Sequence, residues 1–213
     1  MSGAVRIEPP PGADPAVAQR KIPAAALAVG AASAAIDLVT KSWAYDAVPL
    51  GGTRPLLGDW LVLHTRSNPA GPWSWGLGSV PPTVMRIALP LLSVLAVVIL
   101  LRILWSADAR DRVKTLGLAL ILGGAAGNLW DRAITAFDPA FGGVRDFILF
   151  PRIVFGRPFP AFNFADTWIT VGVVLVGWRL LFEREREDAA PAPAAPAAPA
   201  APAAPAATDE VRA

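Results

Sequence analysis

Two aspartates, Asp146 and Asp166, mark the ends of a short segment that separates two long apolar stretches. Each lies close to where a membrane helix should meet water. A carboxylate this near to hydrocarbon is costly, roughly 2.5–3.5 kcal/mol at a bilayer centre, so it usually marks a function. Two carboxylates that converge on one site can share a proton and act as an acid–base pair. The residue types therefore indicate proton transfer at a membrane surface.

A second group of polar residues lies in the third apolar stretch. Asn128, Asp131 and Arg132 stand at i, i+3 and i+4, which predicts that they share one face of a helix. Such groups need partners inside a helix bundle. An Asp131–Arg132 pair with a structural role is one interpretation. The residues alone do not decide whether Asp131 or Asp146 is the partner of Asp166.

Asp37 and Lys41 interrupt the first apolar stretch. They are four residues apart, with the acid on the N-terminal side, and so are predicted to pair on one helical face. The next polar candidate, Asn68, follows a short apolar run, 60–65, that resembles a strand; Ser67 and Asn68 are predicted to begin the turn after it.

Several kinds of chemistry are excluded by composition. The chain has no cysteine, which excludes disulfides, cysteine nucleophiles and iron–sulfur ligation. Its one histidine, His64, excludes zinc sites built on several histidines. There is no Gly-x-Ser-x-Gly turn, so His64 is interpreted as an interfacial residue without a nucleophile to activate. No metal or cofactor is expected.

Composition also places the chain in a membrane. The 213 residues are 54% hydrophobic and 17% charged, with a mean hydropathy of +0.47. A soluble domain carries about 25% charged residues. The net charge of +2 is small, and no stretch interleaves basic with aromatic residues, so no nucleic-acid partner is expected.

The apolar pattern predicts an all-α membrane protein with four transmembrane helices and a small outward-facing, β-containing loop region. The predicted spans are 22–44, 84–105, 113–134 and 163–182, with Asn163 as the N-cap of the fourth. Residues 22–182 form the predicted membrane domain, preceded by a disordered leader, 1–21. The tail, 183–213, is first charged and then rich in Ala and Pro, which predicts disorder.

Basic residues set the predicted orientation. Arg110, Arg112 and Lys114 lie in the short loop between the second and third spans, and Arg184 and Arg186 follow the fourth. Cytoplasmic loops carry such an excess of positive charge. Both termini are therefore predicted to be cytoplasmic, with the candidate site near the outer face.

Four segments, in order, resemble the lipoprotein signal peptidases, the type II signal peptidases of bacteria. These segments are Ile36-Asp37-Leu38-Val39-Thr40-Lys41, Gly123-Gly124-Ala125-Ala126-Gly127-Asn128-Leu129-Trp130-Asp131-Arg132, Val144-Arg145-Asp146-Phe147-Ile148 and Phe159-Pro160-Ala161-Phe162-Asn163-Phe164-Ala165-Asp166. The resemblance covers about residues 25 to 182. It implies an aspartic endopeptidase of the bacterial inner membrane that cuts a prolipoprotein just before its diacylglyceryl-modified cysteine.

The resemblance also implies roles for individual residues. Asp146 and Asp166 would be the catalytic pair. The residues implied as support or substrate contacts are Asp37, Lys41, Asn68, Gly71, Asn128, Asp131, Arg132 and Asn163. Lipidated prolipoproteins and membrane lipids would be the partners of a monomer.

This chain departs from the family pattern at three places. Ala70 stands where the asparagine segment usually has glycine, and Gly71 follows it. The gap between Asp131 and Asp146 is longer than usual, and Arg145 occupies a position that is generally apolar.

Two other interpretations of the clustered charges are a Mg²⁺-dependent membrane phosphotransferase and a non-enzymatic transporter or assembly factor.

Overall fold

Four long helices dominate the structure, a computed structural model that describes residues 22–69, 80–151 and 159–188, with side chains to residue 182. The helices are α1 (Ala24–Ala47), α2 (Pro82–Ser106), α3 (Arg112–Phe137) and α4 (Phe164–Asp188). Each is long and apolar enough to cross a membrane. The predicted leader, Gly71 and the Ala/Pro-rich tail lie outside the described residues.

The segments between the helices contribute the three strands of a small antiparallel sheet. Its strands are β1 (Thr53–Leu57), β2 (Leu61–Asn68) and β3 (Val144–Leu149), in the order β1-β2-β3. The predicted all-α membrane fold with a β-containing loop region is thus confirmed. The predicted end of the strand was wrong, because β2 continues through Ser67 and Asn68, which pair with Arg145 and Val144.

Helix α3 is the centre of the bundle and packs against the other three. Glycines allow this packing: a Cβ on Gly123 would lie 2.5 Å from the carbonyl oxygen of Gly30 in α1. Close backbone approach of this kind is how helices associate where no hydrophobic driving force exists between them. Helix α2 lies at the periphery, and only Ser93 and Leu104 of its residues are buried.

The sheet covers one end of the bundle. A small core joins it to the end of α1 through Ala44, Val48, Leu63 and Phe147. At the opposite end lies the turn between α2 and α3, where Asp111 forms an ion pair with Arg179 of α4 at 2.9 Å. The fold therefore presents two chemically different ends, and the candidate site belongs to the end that carries the sheet.

Candidate active site

The first turn of α4 holds one of the two candidate carboxylates. The backbone N–H of Asp166 donates to Oδ1 of Asn163 at 3.0 Å, and the backbone N–H of Asn163 donates to Oδ2 of Asp166 at 3.2 Å. These reciprocal bonds are those of a capping box, which satisfies free N–H groups at a helix start. The cap therefore fixes the Asp166 carboxylate, which stays partly exposed.

The other carboxylate, Asp146, lies on β3. The N–H groups of Phe147 and Ile148 donate to the carbonyl oxygen of Phe162, at 3.0 and 2.8 Å. These bonds join β3 to the residue that precedes the α4 cap. The strand thereby places Asp146 beside Asn163, whose Nδ2 donates to Asp146 Oδ1 at 2.7 Å.

Asn163 consequently contacts both carboxylates, one through its side chain and the other through its backbone. Asn68 adds a donor at 3.3 Å to Asp146 Oδ2 from the neighbouring strand, where it lies diagonally across the ladder. Asn128 Nδ2 donates to Asp166 Oδ1 at 3.0 Å from α3. Three asparagines therefore hold the two acids.

Burial and mutual repulsion change the proton affinity of this pair. The pKa of Asp146 is raised to about 7, mainly by burial and then by the negative charge of Asp166, while the hydrogen bonds from Asn68 and Asn163 oppose the rise. Two nearby carboxylates cannot both ionise without cost. A group with such a pKa can hold a proton at neutral pH, as a general acid must.

A buried ion cluster lies behind Asp166. Lys41 Nζ contacts Asp37 Oδ2 at 2.7 Å, Asp131 Oδ2 at 3.2 Å and the side-chain oxygen of Asn128 at 2.9 Å. The side chains of all three charged residues are fully buried. The predicted Asp37–Lys41 pair is confirmed. Lys41 also orients Asn128, because it occupies the amide oxygen and leaves the amide nitrogen to face Asp166.

Helices α1 and α4 also meet in this cluster. The backbone N–H of Ala165 donates to Asp37 Oδ1 at 2.8 Å. Room for this carboxylate exists because residue 127 is glycine: a Cβ there would collide with Asp37 Oδ2. The small residues of the Gly123–Gly127 segment therefore serve the site as well as the helix packing.

Asp131 and Arg132 do not pair with each other. Asp131 turns toward Lys41 and Arg145, whereas Arg132 Nη1 donates to Ser93 Oγ of α2 at 2.9 Å. The structural Asp131–Arg132 pair that the sequence suggested therefore does not form, because consecutive helical residues point about 100° apart and reach different neighbours. Its guanidinium still lies within electrostatic range of Asp131, Asp146 and Asp166.

The structure thus brings together nearly every described residue that the sequence singled out. Arg132 lies beside this group and donates a hydrogen bond to Ser93 of α2. Gly71 lies outside the described residues. Arg145, Ser42, Tyr45 and Ser93 are neighbours that the sequence did not assign to the site. Within 22–69, 80–151 and 159–188, no three His, Cys, Asp or Glu side chains converge as metal ligands.

Comparison with known sequences agrees with this geometry. The family model for signal peptidase II matches residues 29–182. A lipoprotein signal peptidase of Rhodopseudomonas palustris is 34% identical over 145 residues, which cover 66% of this chain and 81% of that protein. One from Desulforapulum autotrophicum is 31% identical, over 70% of this chain and 87% of its own length.

A third relative, from Sulfurihydrogenibium, is 36% identical over 52% of this chain and 64% of its own length, so the chain spans less than two thirds of that protein. Among solved structures, a bacterial membrane enzyme determined by the in meso method is 25% identical. Its TM-score is 0.60, and the match covers 74% of this chain and 92% of that one.

Proposed function

The chain belongs to the signal peptidase II family, so it is a peptidase that removes signal peptides from prolipoproteins, and we propose that Asp146 and Asp166 are its catalytic pair. The observation that carries the proposal is the double contact of Asn163 with both carboxylates. No other two acids in the described residues share a donor residue in this way while one of them stays partly exposed.

The proposed mechanism assigns a different task to each acid. Asp146 holds the shared proton, because its pKa is raised to about 7. Ionised Asp166 takes a proton from water, which attacks the scissile carbonyl, while Asp146 donates its proton to the developing oxyanion. The proton on Asp166 then passes to the leaving amine as the C–N bond breaks, and Asp146 takes back a proton from one hydroxyl of the tetrahedral intermediate as the carbonyl re-forms. The bond broken is the one before the diacylglyceryl-modified cysteine of the substrate.

The other two interpretations are not favoured. The matching family model describes peptidases, and the relatives reported above are named as peptidases, not as phosphotransferases, transporters or assembly factors. The supporting residues also have contacts that suit proteolysis, since asparagine donors orient carboxylates without neutralising them.

The direct experiment is an in vitro cleavage assay with purified protein and a diacylglyceryl-modified prolipoprotein. Loss of a signal-peptide-sized mass is expected, at the same rate with and without EDTA. The unmodified prolipoprotein is the matched control for the lipid requirement. Cleavage that depends on added Mg²⁺, or the absence of cleavage by an inserted, folded protein, would contradict the proposal.

The cleavage rate is expected to fall as pH rises through about 7. The sign follows from the raised pKa of Asp146, because the pair holds one proton below that value and none above it. On the alkaline side the cleavage rate should therefore fall about tenfold per pH unit. The apparent value belongs to the pair of carboxylates and not to one residue. Single-turnover rates between about pH 6 and 9 measure this alkaline limb, and a rate that still rises at the alkaline end would contradict the assignment.

The orientation we propose places both termini, including 1–21 and 183–213, in the cytoplasm and the sheet on the outer face. Its support is the basic turn between α2 and α3, with Arg110 and Arg112 exposed, at the end of the bundle away from the site. In this orientation Asp146 and Asp166 lie near the outer surface of the membrane.

Two single-cysteine variants of this cysteine-free chain test the orientation. Ala109 and Ala140 are exposed alanines at opposite ends of the bundle. An impermeant thiol reagent added to intact cells is expected to label Ala140→Cys but not Ala109→Cys, and both should react after lysis. The reverse pattern would show that the chain is inserted the other way.

A further inference from the structure

Arg145, a residue that the sequence did not assign to the site, contacts a buried carboxylate and two aromatic rings. Its Nε and Nη2 donate to Asp131 Oδ1 at 3.1 and 2.9 Å, and its backbone N–H donates to Asp131 Oδ2 at 3.0 Å. Its guanidinium carbon lies 6.0 Å from the ring centre of Tyr45 and 5.2 Å from that of Phe141. A planar guanidinium suits both kinds of contact.

These contacts join three parts of the chain to the strand that carries Asp146. Asp131 belongs to α3 and Tyr45 to α1. Phe141 belongs to a short 3₁₀ helix, Pro139–Phe141, within the lengthened segment before β3. In addition, the carbonyl oxygen of Arg145 accepts a hydrogen bond from Asn163 Nδ2 at 3.4 Å. Arg145 thus touches the asparagine that bonds both acids.

Charge gives Arg145 a second role. The buried cluster contains two acids, Asp37 and Asp131, and Lys41 alone would leave it with one uncompensated negative charge. Arg145 supplies the second cation. An unpaired buried carboxylate is costly and would also repel the ionised form of a neighbouring acid.

We propose that Arg145 is a positioning residue for the catalytic pair: it fixes β3 on α3 through Asp131 and keeps the buried cluster electrically neutral. The inference rests on the proposed roles of Asp146 and Asp166. It assigns a purpose to two unusual features of this chain, the arginine itself and the longer segment that supplies Phe141.

The net charge of the buried ion cluster affects how tightly Asp146 and Asp166 hold their shared proton. The charged and titratable groups around the pair are Asp37, Lys41 and Tyr45 of α1, Arg66 of β2, Asp131 and Arg132 of α3, and Arg145 of β3. Loss of Arg145 adds one net negative charge to this set. The pair should then hold its proton more tightly, so that the alkaline limb of the pH–rate profile moves upward.

The test is the pH dependence of kcat and kcat/KM for Arg145→Leu and Arg145→Lys. For Arg145→Leu we expect kcat to fall roughly ten- to hundredfold, with little change in KM. Its alkaline limb should rise by about 0.5–1 pH unit. Arg145→Lys keeps the charge but not the planar fork. It should therefore keep the wild-type alkaline limb and recover only part of the rate.

Arg66→Leu is the matched control, because Arg66 lies opposite Asp146 on β2 but is exposed. It removes the same charge where water screens it, so kcat and the alkaline limb should stay close to those of the wild type. The double variant Arg145→Leu/Asp131→Asn removes both members of the pair and restores neutrality. Its alkaline limb should return to the wild-type position even if Arg145→Leu alone does not fold.

A double variant that keeps the shifted limb, or an Arg145→Leu variant with wild-type kcat and pH dependence, would overturn the inference. Failure of the proposed function gives a different result. In that case Asp146→Asn would itself cleave the lipidated substrate, whatever the Arg145 variants do.

Discussion

Asp146→Asn and Asp166→Asn are each expected to lower the rate of prolipoprotein cleavage by roughly 10²–10⁴-fold. The amide has nearly the shape of the carboxylate but can neither accept nor deliver the shared proton. The folded state should survive, because the new amide keeps the shape of the carboxylate and still offers one oxygen to the donors around it, which come from Asn68, Asn128 and Asn163. Cleavage of a lipidated prolipoprotein at matched membrane levels measures the effect.

Asp131→Asn is the informative comparison. Asp131 accepts hydrogen bonds from Arg145 and contacts Lys41, so the substitution should lower stability and leave partial activity. Thermal unfolding in detergent and retention of a lipopeptide substrate separate the two effects. Should Asp146→Asn retain most of its activity while a stable Asp131→Asn has none, Asp131 would be the partner of Asp166.

Lys41→Met is expected to lower the free energy of unfolding by about 3–5 kcal/mol. Methionine fills a similar volume, so the main loss is the positive charge between two buried acids, Asp37 and Asp131. For a chain of this size the melting temperature should fall on the order of 10 °C. Activity of the folded fraction should also drop, because Asn128 loses the contact that directs its amide toward Asp166.

Two further variants control this experiment. Lys114→Met removes a partly exposed lysine at the opposite end of the bundle and should change stability by no more than about 1 kcal/mol. Lys41→Met/Asp37→Asn leaves one fewer unpaired acid and should recover part of the lost stability. If Lys41→Met were as stable as the wild type, the buried cluster would not hold its charges as ions.

The sequence predicted the elements of this protein better than their contacts. Apolar length identified four spans to within two or three residues at each end, except that α4 continues beyond the predicted end at 182, through the charged run to Asp188. Asp37 and Lys41 were predicted to pair because helix geometry alone brings i and i+4 together. The strand end at Asn68 was missed because its partner, Val144, lies far along the chain, and local turn propensity cannot reveal such pairing.

The residues of the site were likewise easier to predict than the contacts between them. The carboxylates stood out individually because acids are rare beside apolar spans, but their choice of partners depends on tertiary contacts. Asp131 and Arg132 are adjacent and opposite in charge, yet each finds a different partner. Arg145 precedes Asp146 directly, and only the fold shows that it turns back to α3.

The bond between Ala165 and Asp37 joins the last helix to the first, and this has a consequence for biosynthesis. A nascent chain with three helices in the membrane already contains Asp37, Lys41 and Asp131, the inner ion cluster. It still lacks Asp166 and the cap of Asn163, so it contains the charged residues that support the site but not both carboxylates of the pair. If Asp146 and Asp166 are the catalytic pair, as we propose, proteolytic competence is expected only after the fourth helix has entered the bilayer, and an intermediate with three inserted helices should not cut neighbouring precursors.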